Sequence, residues 1–335
     1  MINIITGGTG LVGSRLIFDL VSRGEKVSVI KRKETSVDKL INNLAFYSDK
    51  PQKLIKEVEF FDGEMNDFES LMNFIPQGAN VYHCAAKVSF AEQDKQEIFE
   101  TNVEGTQNLV NVCLEKQVNK LCFVSSIATL GGKINGHKID ENTPWAATGK
   151  SHYSLSKYEA EMEVWKGVAE GLNAVIVNPG VILGPGDWNN GSSQIFSTLA
   201  KGLMFYTKGI TSYVDVRDVT KAMILLMDSD ISGERFILSS ESLSYEMLFK
   251  KIATALVVKS PRFYANSFVT SVGWKASKLV SMITRKQPRL TKFSHRAAHK
   301  KNLYDGSKIS NFINYSYTPI DETIEFVAKK YLSSR

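Results

Sequence analysis

Short apolar runs alternate with amphipathic stretches through the first half of the chain. The apolar runs predict six β-strands, at Ile2–Ile5, Lys26–Ile30, Glu57–Phe61, Asn80–Cys84, Lys120–Val124 and Ala174–Val177. The stretches between them predict helices, of which the first follows Gly10 and ends at Gly24, and the others are Val37–Tyr47, Asp67–Phe74, Gln93–Glu115 and Ser151–Gly171. Strands that alternate with helices form right-handed crossovers, so the pattern predicts an α/β fold with a doubly wound parallel sheet and helices on both faces.

The pattern changes after Pro179, where the glycine-rich turns at 184–186 and 189–191 break regular structure. Shorter elements follow, and the last hundred residues are mostly helical in pattern. Because Tyr213–Asp228 again resembles a strand and a helix, we assign residues 1–180 and about 211–230 to the sheet domain. Residues 181–210 and 231–335 then form a smaller, mostly helical lobe that closes over the carboxyl edge of the sheet.

Composition excludes several classes of protein. The net charge of +6 comes largely from a late cluster, which we interpret as solvated surface rather than a nucleic-acid or membrane site: Arg285, Lys286, Arg289, Lys292, Arg296, Lys300 and Lys301. No apolar run approaches a membrane span, and a first strand at Ile2 leaves no room for a signal peptide. The three cysteines indicate core thiols in a reducing compartment, and the five histidines form no metal-ligand pattern. We expect a cytoplasmic protein.

A glycine-rich loop, Thr6-Gly7-Gly8-Thr9-Gly10-Leu11-Val12-Gly13, directly follows the first strand and opens the first helix. Glycines permit the tight turn and the close approach of the backbone to a pyrophosphate, and the helix N-terminus offers free N–H groups to the anion. Since strand, loop, helix and second strand occur in the required order, the loop predicts a dinucleotide site in a Rossmann domain.

The end of the second strand favours one dinucleotide over another. An NAD site usually places an acid there to bind the ribose 2′-hydroxyl, whereas this chain has Lys31-Arg32-Lys33. An arginine can bind a 2′-phosphate with two parallel hydrogen bonds. The sequence therefore favours NADP(H), with NAD(H) as the alternative and exposed basic residues without a ligand as the third interpretation.

Tyr153 and Lys157 lie four residues apart at the start of a helical stretch, so they share one face. A neighbouring ammonium lowers the pKa of a tyrosine and makes it a usable acid–base group. Ser126 follows the fifth strand, whose carboxyl end is where open α/β sheets bind ligands. Although a Tyr-x-x-x-Lys pair is common by chance, its position after the glycine loop and the serine strand predicts a catalytic set.

At this point the sequence resembles the extended short-chain dehydrogenase/reductase superfamily, of the NAD-dependent epimerase/dehydratase type, over roughly residues 1–230. The ordered motifs that carry the resemblance are Thr6-Gly7-x-x-Gly10-x-x-Gly13, Asp62-Gly63, His83-Cys84-Ala85-Ala86, Asn102-Val103-x-Gly105-Thr106, Ser125-Ser126, Tyr153-x-x-Ser156-Lys157-x-x-Ala160-Glu161, Asn178-Pro179-Gly180 and Tyr213-Val214-Asp215-Val216-x-Asp218-Val219.

The resemblance implies roles for individual residues. Tyr153 is the expected acid–base, Lys157 its partner and Ser126 the donor to the substrate carbonyl. Tyr153 and Lys157 are also expected to contact the cofactor. The other expected cofactor contacts are Gly7, Thr9, Gly10, Leu11, Val12 and Gly13 in the glycine loop, Lys31 and Arg32 at the end of the second strand, and Asp62 and Gly63 beside the adenine. Ala85, Ala86, Lys87 and Asn102 are expected to line the cleft wall, and Pro179, Gly180, Val181 and Ile182 to lie beside the nicotinamide. Dimerisation through the helices at Gln93–Glu115 and Ser151–Gly171 is a further implication.

Departures from the family pattern narrow the chemistry. Sugar dehydratases usually carry an acid pair beside the catalytic serine or threonine, but Ile127-Ala128-Thr129 follow Ser126 here. Asn178-Pro179 stands where epimerases commonly have Arg-Pro. The combination is similar to the dihydroflavonol-reductase-like and hydroxysteroid-dehydrogenase-like branch, so we predict an NADPH-dependent reductase of a small apolar ketone or aldehyde. A nucleotide-sugar epimerase with tightly bound NAD and a non-catalytic NADP-sensing regulator remain the alternatives.

An apolar stretch in the C-terminal lobe has three interpretations. Its members are Phe263, Tyr264, Phe268, Val272, Trp274, Leu279, Val280, Met282 and Ile283. In the first interpretation they line a substrate pocket, and in the second they form ordinary core of the lobe. In the third they form a helix on a membrane surface, because Lys275, Lys278, Arg285 and Lys286 flank them. The third is the least favoured, and we expect a small-molecule substrate with no nucleic-acid or membrane partner.

Overall fold

The computed structural model describes residues 1–132, 137–147, 149–284 and 291–335, without the side chains at 278–280 and 282–284. The described strands are β1 Ile2–Thr6, β2 Lys26–Lys31, β3 Val58–Asp62, β4 Asn80–His83, β5 Lys120–Val124, β6 Ala174–Pro179, β7 Val181–Leu183, β8 Phe205–Tyr206, β9 Ile210–Asp215, β10 Glu234–Leu238, β11 Glu241–Ser244 and β12 Phe263–Tyr264. The described helices are α1 Leu11–Ser22, α2 Asp38–Leu44, α3 Pro51–Lys56, α4 Phe68–Phe74, α5 Lys95–Phe99, α6 Gly105–Glu115, α7 His152–Ala169, α8 Gln194–Ala200, α9 Val216–Met227, α10 Tyr245–Ala255, α11 Ser267–Thr284, α12 Lys292–Ala297, α13 Lys308–Phe312 and α14 Ile320–Ser333.

Parallel strands form the main sheet, which in the described part of the chain has seven members in the order β10-β6-β5-β4-β1-β2-β3. Thr6, the last residue of β1, pairs with Ile30 on one side and His83 on the other. The strand order reverses between β1 and β4, which creates the crevice where such sheets bind ligands. The predicted doubly wound parallel sheet is confirmed.

Helices cover both faces of the sheet because its strands are apolar on both sides. On one face α1 packs against α9, with Leu16, Leu20 and Met223 fully buried. On the other face α6 contacts α4 and α7, and Val164 of α7 is also fully buried. The ends of the strands and helices are thereby held at fixed positions around the crevice.

The C-terminal lobe is built on small sheets, and it corrects two details of the predicted division. Strand β9 lies between β7 and β11 in a three-stranded sheet of the described residues, although 211–230 had been assigned to the main sheet domain. Strand β10 pairs with β6 at the edge of the main sheet, although 231–335 had been assigned to the lobe. The reason is burial: Phe236, Ile237 and Leu238 are fully buried at that edge. Helix α9 does pack on the main domain, against α1.

Two further predictions can be compared with the structure. The helix predicted at Gln93–Glu115 is interrupted by a π-helical turn at Glu100–Glu104, which lies between α5 and α6. Among the described residues, no helix is both long enough and apolar enough to span a membrane. Within the basic cluster, Arg285, Lys286 and Arg289 lie outside the described residues, as do the side chains of Lys278, Leu279, Val280, Met282 and Ile283.

Candidate active site

The glycine loop lies tightly against the end of β4. Gly7 has φ +70°, and a Cβ there would lie 2.6 Å from the backbone nitrogen of Ala85. At Gly13 a Cβ would lie 2.3 Å from the carbonyl oxygen of Gly7. Helix α1 begins at Leu11, and Gly10 before it supplies no side-chain cap, so the first N–H groups of the helix are open to an anion. Only glycines fit this cradle, and the residues present fit a dinucleotide pyrophosphate.

Charged side chains meet where β2 and β3 end side by side. Lys31 Nζ forms an ion pair with the Asp62 carboxylate, and the Gly63 N–H donates to the Lys31 carbonyl at 2.9 Å. Arg32 is exposed directly after β2. The two cations that the sequence grouped together are therefore distinguished: Lys31 is paired with an acid, and Arg32 reaches into solvent at the strand end.

Ser126, Tyr153 and Lys157 come from the end of β5 and the first turns of α7. Ser126 Oγ accepts a hydrogen bond from the Ala128 N–H at 3.1 Å, which leaves its own proton available to a ligand. Lys157 is buried, and its Nζ donates to the Val124 carbonyl at 2.8 Å. The three residues are therefore positioned by the sheet edge and one helix.

Burial shapes the protonation of this set. It raises the pKa of Tyr153, while the adjacent Ser126 side chain acts in the opposite direction. Burial also lowers the pKa of Lys157 to about 7, against the negative charge of Glu161, which raises it. The ammonium is consequently easier to deprotonate than an exposed lysine, and its charge depends on its neighbours.

Asn102 lies in the π turn and connects the cleft wall to the catalytic helix. Its Nδ2 donates to the Lys87 carbonyl and to Ser156 Oγ, both at 3.0 Å, and its Oδ1 accepts from the Lys87 N–H at 2.7 Å. The Lys87 ammonium pairs with Glu97 at 2.8 Å. Because a π turn adds one residue to the helix, it allows the Asn102 side chain to face the cleft.

The remaining predicted contact residues surround the same crevice. Asp62 ends β3 and Gly63 follows it, and Ala85 and Ala86 come shortly after β4. On the opposite side β6 ends at Pro179, and the Gly180 N–H donates to the Leu238 carbonyl at 3.0 Å. Val181 and Ile182 begin β7 and are half-buried, so the segment 179–182 forms a wall beside Ser126 and Asn178.

A buried carboxylate, Glu161, lies behind the site; the sequence motif around Tyr153 includes this residue but predicts no role for it. Glu161 is fully buried and accepts from Ser125 Oγ at 2.5 Å, Thr129 Oγ1 at 2.8 Å and Asn178 Nδ2 at 2.8 Å. It also pairs with Arg235 at 3.0 Å. The signal in the sequence is its spacing, since Glu161 follows Lys157 by four residues and shares its helix face.

Aromatic side chains cover Tyr153. The Phe90 ring meets Tyr153 edge-on with centroids 5.7 Å apart, and Phe293 of α12 stacks on Phe90 at 4.9 Å. Sequence analysis missed both phenylalanines, because they are far apart along the chain. By contrast, Phe263 and Phe268, which were candidates for pocket or lobe core, are exposed and do not form core.

The geometry defines a dinucleotide-binding sheet with a serine, a tyrosine and a lysine at its carboxyl edge. Residues 3–238 match the model of the NAD dependent epimerase/dehydratase family, and the chain belongs to this family. It is an NAD(P)-dependent oxidoreductase of the extended short-chain dehydrogenase/reductase type.

Individual relatives and structures agree with this assignment. The chain is 31% identical to the sterol demethylase protein B of Methylococcus capsulatus over 72% of this chain and 70% of that protein. It is 26% identical to cinnamoyl-CoA reductase 1 of Petunia hybrida over 70% and 71% of the two chains. The crystal structure of a Thermus thermophilus UDP-glucose 4-epimerase with NAD shares the fold, with a TM-score of 0.75 and 22% identity over 100% of both chains.

Proposed function

We propose that the protein uses NADPH to reduce the carbonyl group of a small apolar ketone or aldehyde, with Tyr153 as the acid–base group. The observation that carries the proposal is the arrangement of Ser126, Tyr153 and Lys157 beneath the aromatic pair Phe90 and Phe293. The first three supply the polar groups that a carbonyl reduction needs. The two rings supply an apolar surface directly beside them.

Each residue of the set has a separate role in the proposed reaction. When bound in the crevice, the nicotinamide supplies the hydride. Tyr153 donates its phenolic proton to the substrate oxygen, and Ser126, whose Oγ accepts from the Ala128 N–H, donates its own proton in a hydrogen bond to the same oxygen. Lys157 lies one helical turn from Tyr153, and its positively charged ammonium group stabilises the Tyr153 phenolate. The rings of Phe90 and Phe293 exclude water from the reacting groups.

The preference for an apolar substrate rests on the surroundings of Tyr153. Flat rings in contact with the phenol favour a planar or apolar molecule by burial and by ring stacking. The relative named for sterols supports an apolar substrate, and the cinnamoyl group in the name of the other relative is likewise planar and apolar, although its CoA part is not. Asn178 and Pro179 end β6, so this chain has no arginine at the position where epimerases commonly have Arg-Pro, and this argues against a nucleotide sugar.

The preference for NADPH rests on the end of β2. Asp62, the acid at this edge, is paired with Lys31, and the exposed guanidinium of Arg32 remains to bind a 2′-phosphate.

The test compares NADPH and NADH oxidation with apolar ketones, aldehydes and nucleotide sugars as substrates. The Tyr153→Phe variant removes one hydroxyl, and we expect turnover to fall by about 10²- to 10⁴-fold while NADPH binding persists. Tyr158→Phe on the same helix is the matched control, because that ring stacks on Trp145 at 4.2 Å, away from Ser126. Undiminished turnover in Tyr153→Phe contradicts the proposed acid–base role.

Purification offers a second discrimination. Tightly bound NAD without net oxidation favours an epimerase, and tight NADPH binding without turnover on any substrate favours a cofactor sensor. We expect neither result, because the Ser126, Tyr153 and Lys157 set is complete.

A further inference from the structure

An apolar surface lies exposed on the C-terminal lobe. It is formed by both sides of the two-stranded ribbon β8–β12, by Met204 just before β8 and by the first turns of α11, and we call it the apolar face: Met204, Phe205, Phe263, Tyr264, Phe268 and Val272. Phe205 and Phe263 pair on one side of the ribbon, and Tyr264 lies on the other side. Phe268 is 77% exposed, Phe263 57% and Val272 53%. Soluble domains seldom gather large apolar side chains on one exposed surface, and such a surface marks an interaction site.

Helix α11 is turned with its polar side inward in this region. Thr270 Oγ1 lies 2.8 Å from His295 Nδ1 and 2.7 Å from His299 Nε2, so it faces α12 and the lobe. Phe268 and Val272, on the other side of the helix, face outward. A helix that only needed to pack on its own lobe would bury the apolar positions and expose the threonine.

Positive charge is concentrated in the same two stretches of sequence. Residues 188–214 and 247–304 hold two and thirteen of the 41 Lys and Arg residues, and none of the 35 Asp and Glu residues. The rest of the chain therefore has more acids than bases, although the whole protein has a charge of +6. Arg262 and Lys275 are exposed beside the apolar face, and Lys208 Nζ lies 4.9 Å from the Tyr264 ring.

We infer that the apolar face docks on the surface of a membrane that contains anionic lipids. Aromatic and aliphatic side chains enter the boundary between headgroups and acyl chains, and surrounding lysines and arginines bind anionic headgroups. Docking is peripheral, since no described helix is long and apolar enough to span a membrane. The inference revises the expectation that the protein has no membrane partner, and it does not depend on the proposed reaction.

Two other occupants fit the surface less well. A second copy of the chain in a symmetric dimer would bring the apolar face, with the lysines and arginines beside it, against itself, and the like charges would repel. A nucleic acid would satisfy the cations, but it offers no apolar phase for Phe268, Val272 and Met204. Anionic lipid is the occupant that matches both the charge and the apolar side chains.

The test is co-sedimentation of the full chain with phosphatidylcholine vesicles, with and without phosphatidylserine, at low and high salt. The Phe268→Asp/Val272→Asp variant changes two exposed positions of the apolar face. The matched control is Phe68→Asp/Leu332→Asp, which adds the same charge at positions 43% and 47% exposed on α4 and α14. Thermal unfolding verifies that both variants fold.

We expect binding that requires phosphatidylserine and weakens with salt, and a loss of about tenfold or more in the Phe268→Asp/Val272→Asp variant alone. Failure to bind phosphatidylserine vesicles overturns the inference, and so does an equal loss in the control variant. Binding to duplex DNA but not to vesicles also overturns it. The inference is also overturned if the protein does not bind vesicles and the Phe268→Asp/Val272→Asp variant is a monomer where the unchanged protein is a dimer.

Discussion

Replacing Glu161 by glutamine tests the carboxylate behind the active site. The fully buried side chain accepts hydrogen bonds from Ser125, Thr129 and Asn178 on one oxygen and pairs with Arg235 through the other. Glutamine keeps the shape and removes the charge. Its amide oxygen can face the three donors, but its NH₂ group then faces the guanidinium of Arg235, which loses its anionic partner and keeps its hydrogen bonds to the Glu141 carbonyl.

The structure sets the size of the effect. Removing one partner of a buried ion pair costs about 3–5 kcal/mol, because the other charge stays buried without compensation. Arg235 is 21% exposed, so water recovers part of that loss. We therefore expect the Glu161→Gln variant to lose about 3 kcal/mol of the free energy of unfolding, which is a large share of the ~5–15 kcal/mol of a typical protein.

Urea unfolding measures this loss. The control is Glu163→Gln on the same helix, because its carboxylate lies 4.0 Å from Lys166 near the surface. We expect that control to change the free energy of unfolding by about 0.5 kcal/mol or less. A loss below about 1 kcal/mol in Glu161→Gln, or equal losses in both variants, refutes the importance of the buried pair.

The same variant has a second readout in the pH dependence of kcat/KM. The negative charge of Glu161 raises the pKa of Lys157, which burial otherwise lowers to about 7. If the ammonium is the active form, activity falls as the pH rises through this pKa. Removing the Glu161 charge lowers the pKa further, so the fall in activity begins at a lower pH. An unshifted alkaline limb indicates that Lys157 does not act through its charge.

Three further predictions concern the cofactor and the substrate. Gly13→Ala places a methyl group 2.3 Å from the carbonyl oxygen of Gly7, so we expect calorimetry to show at least about tenfold weaker dinucleotide binding. Unchanged affinity contradicts the prediction that the glycine loop binds the pyrophosphate. Arg32→Ala is expected to lower kcat/KM for NADPH by about tenfold and to leave kcat/KM for NADH unchanged. Lys33→Ala is the control and is expected to change neither value. Equal losses for both cofactors in Arg32→Ala contradict binding of the 2′-phosphate by Arg32. Phe293→Ala removes the ring that stacks on Phe90 and is expected to raise KM for apolar carbonyl substrates by about tenfold, with a smaller change in kcat. An unchanged KM indicates that Phe293 does not contact the substrate.

The sequence predicted the main sheet well because each strand carries its own apolar pattern. Strand β5 was predicted with its observed bounds, Lys120–Val124. Ser126 and Tyr153 could be assigned to the carboxyl edge for the same reason, since parallel strands end together there. The helix cap also follows from local sequence, because Ser151 accepts from the Ser154 N–H at 3.0 Å.

Other features depend on contacts between distant parts of the chain. The apolar patterns of Ile210–Asp215 and Glu234–Leu238 do not reveal that the first joins the small sheet and the second the main sheet. The stack of Phe90 on Phe293 joins residues that no local pattern relates. Glu161 belongs to a recognised motif, but its burial and its partners were not predicted, because Ser125, Thr129, Asn178 and Arg235 come from other parts of the chain.

Hydrogen bonds link the glycine loop to the π turn, and their directions can be assigned. Thr106 Oγ1 donates to the Asn102 carbonyl at 2.6 Å, so at 2.9 Å it accepts from His83 Nε2. The other ring nitrogen, Nδ1, is then unprotonated and accepts from Thr6 Oγ1 at 2.7 Å, and that oxygen accepts from the Ala85 N–H at 3.2 Å. Burial lowers the pKa of His83 to about 3, so the imidazole stays neutral and the chain of donors keeps its direction through neutral pH. Because this chain begins at the main-chain carbonyl of Asn102, the hydrogen bonds tie the position of the π turn to Thr6 and the start of the glycine loop, whatever side chain residue 102 carries.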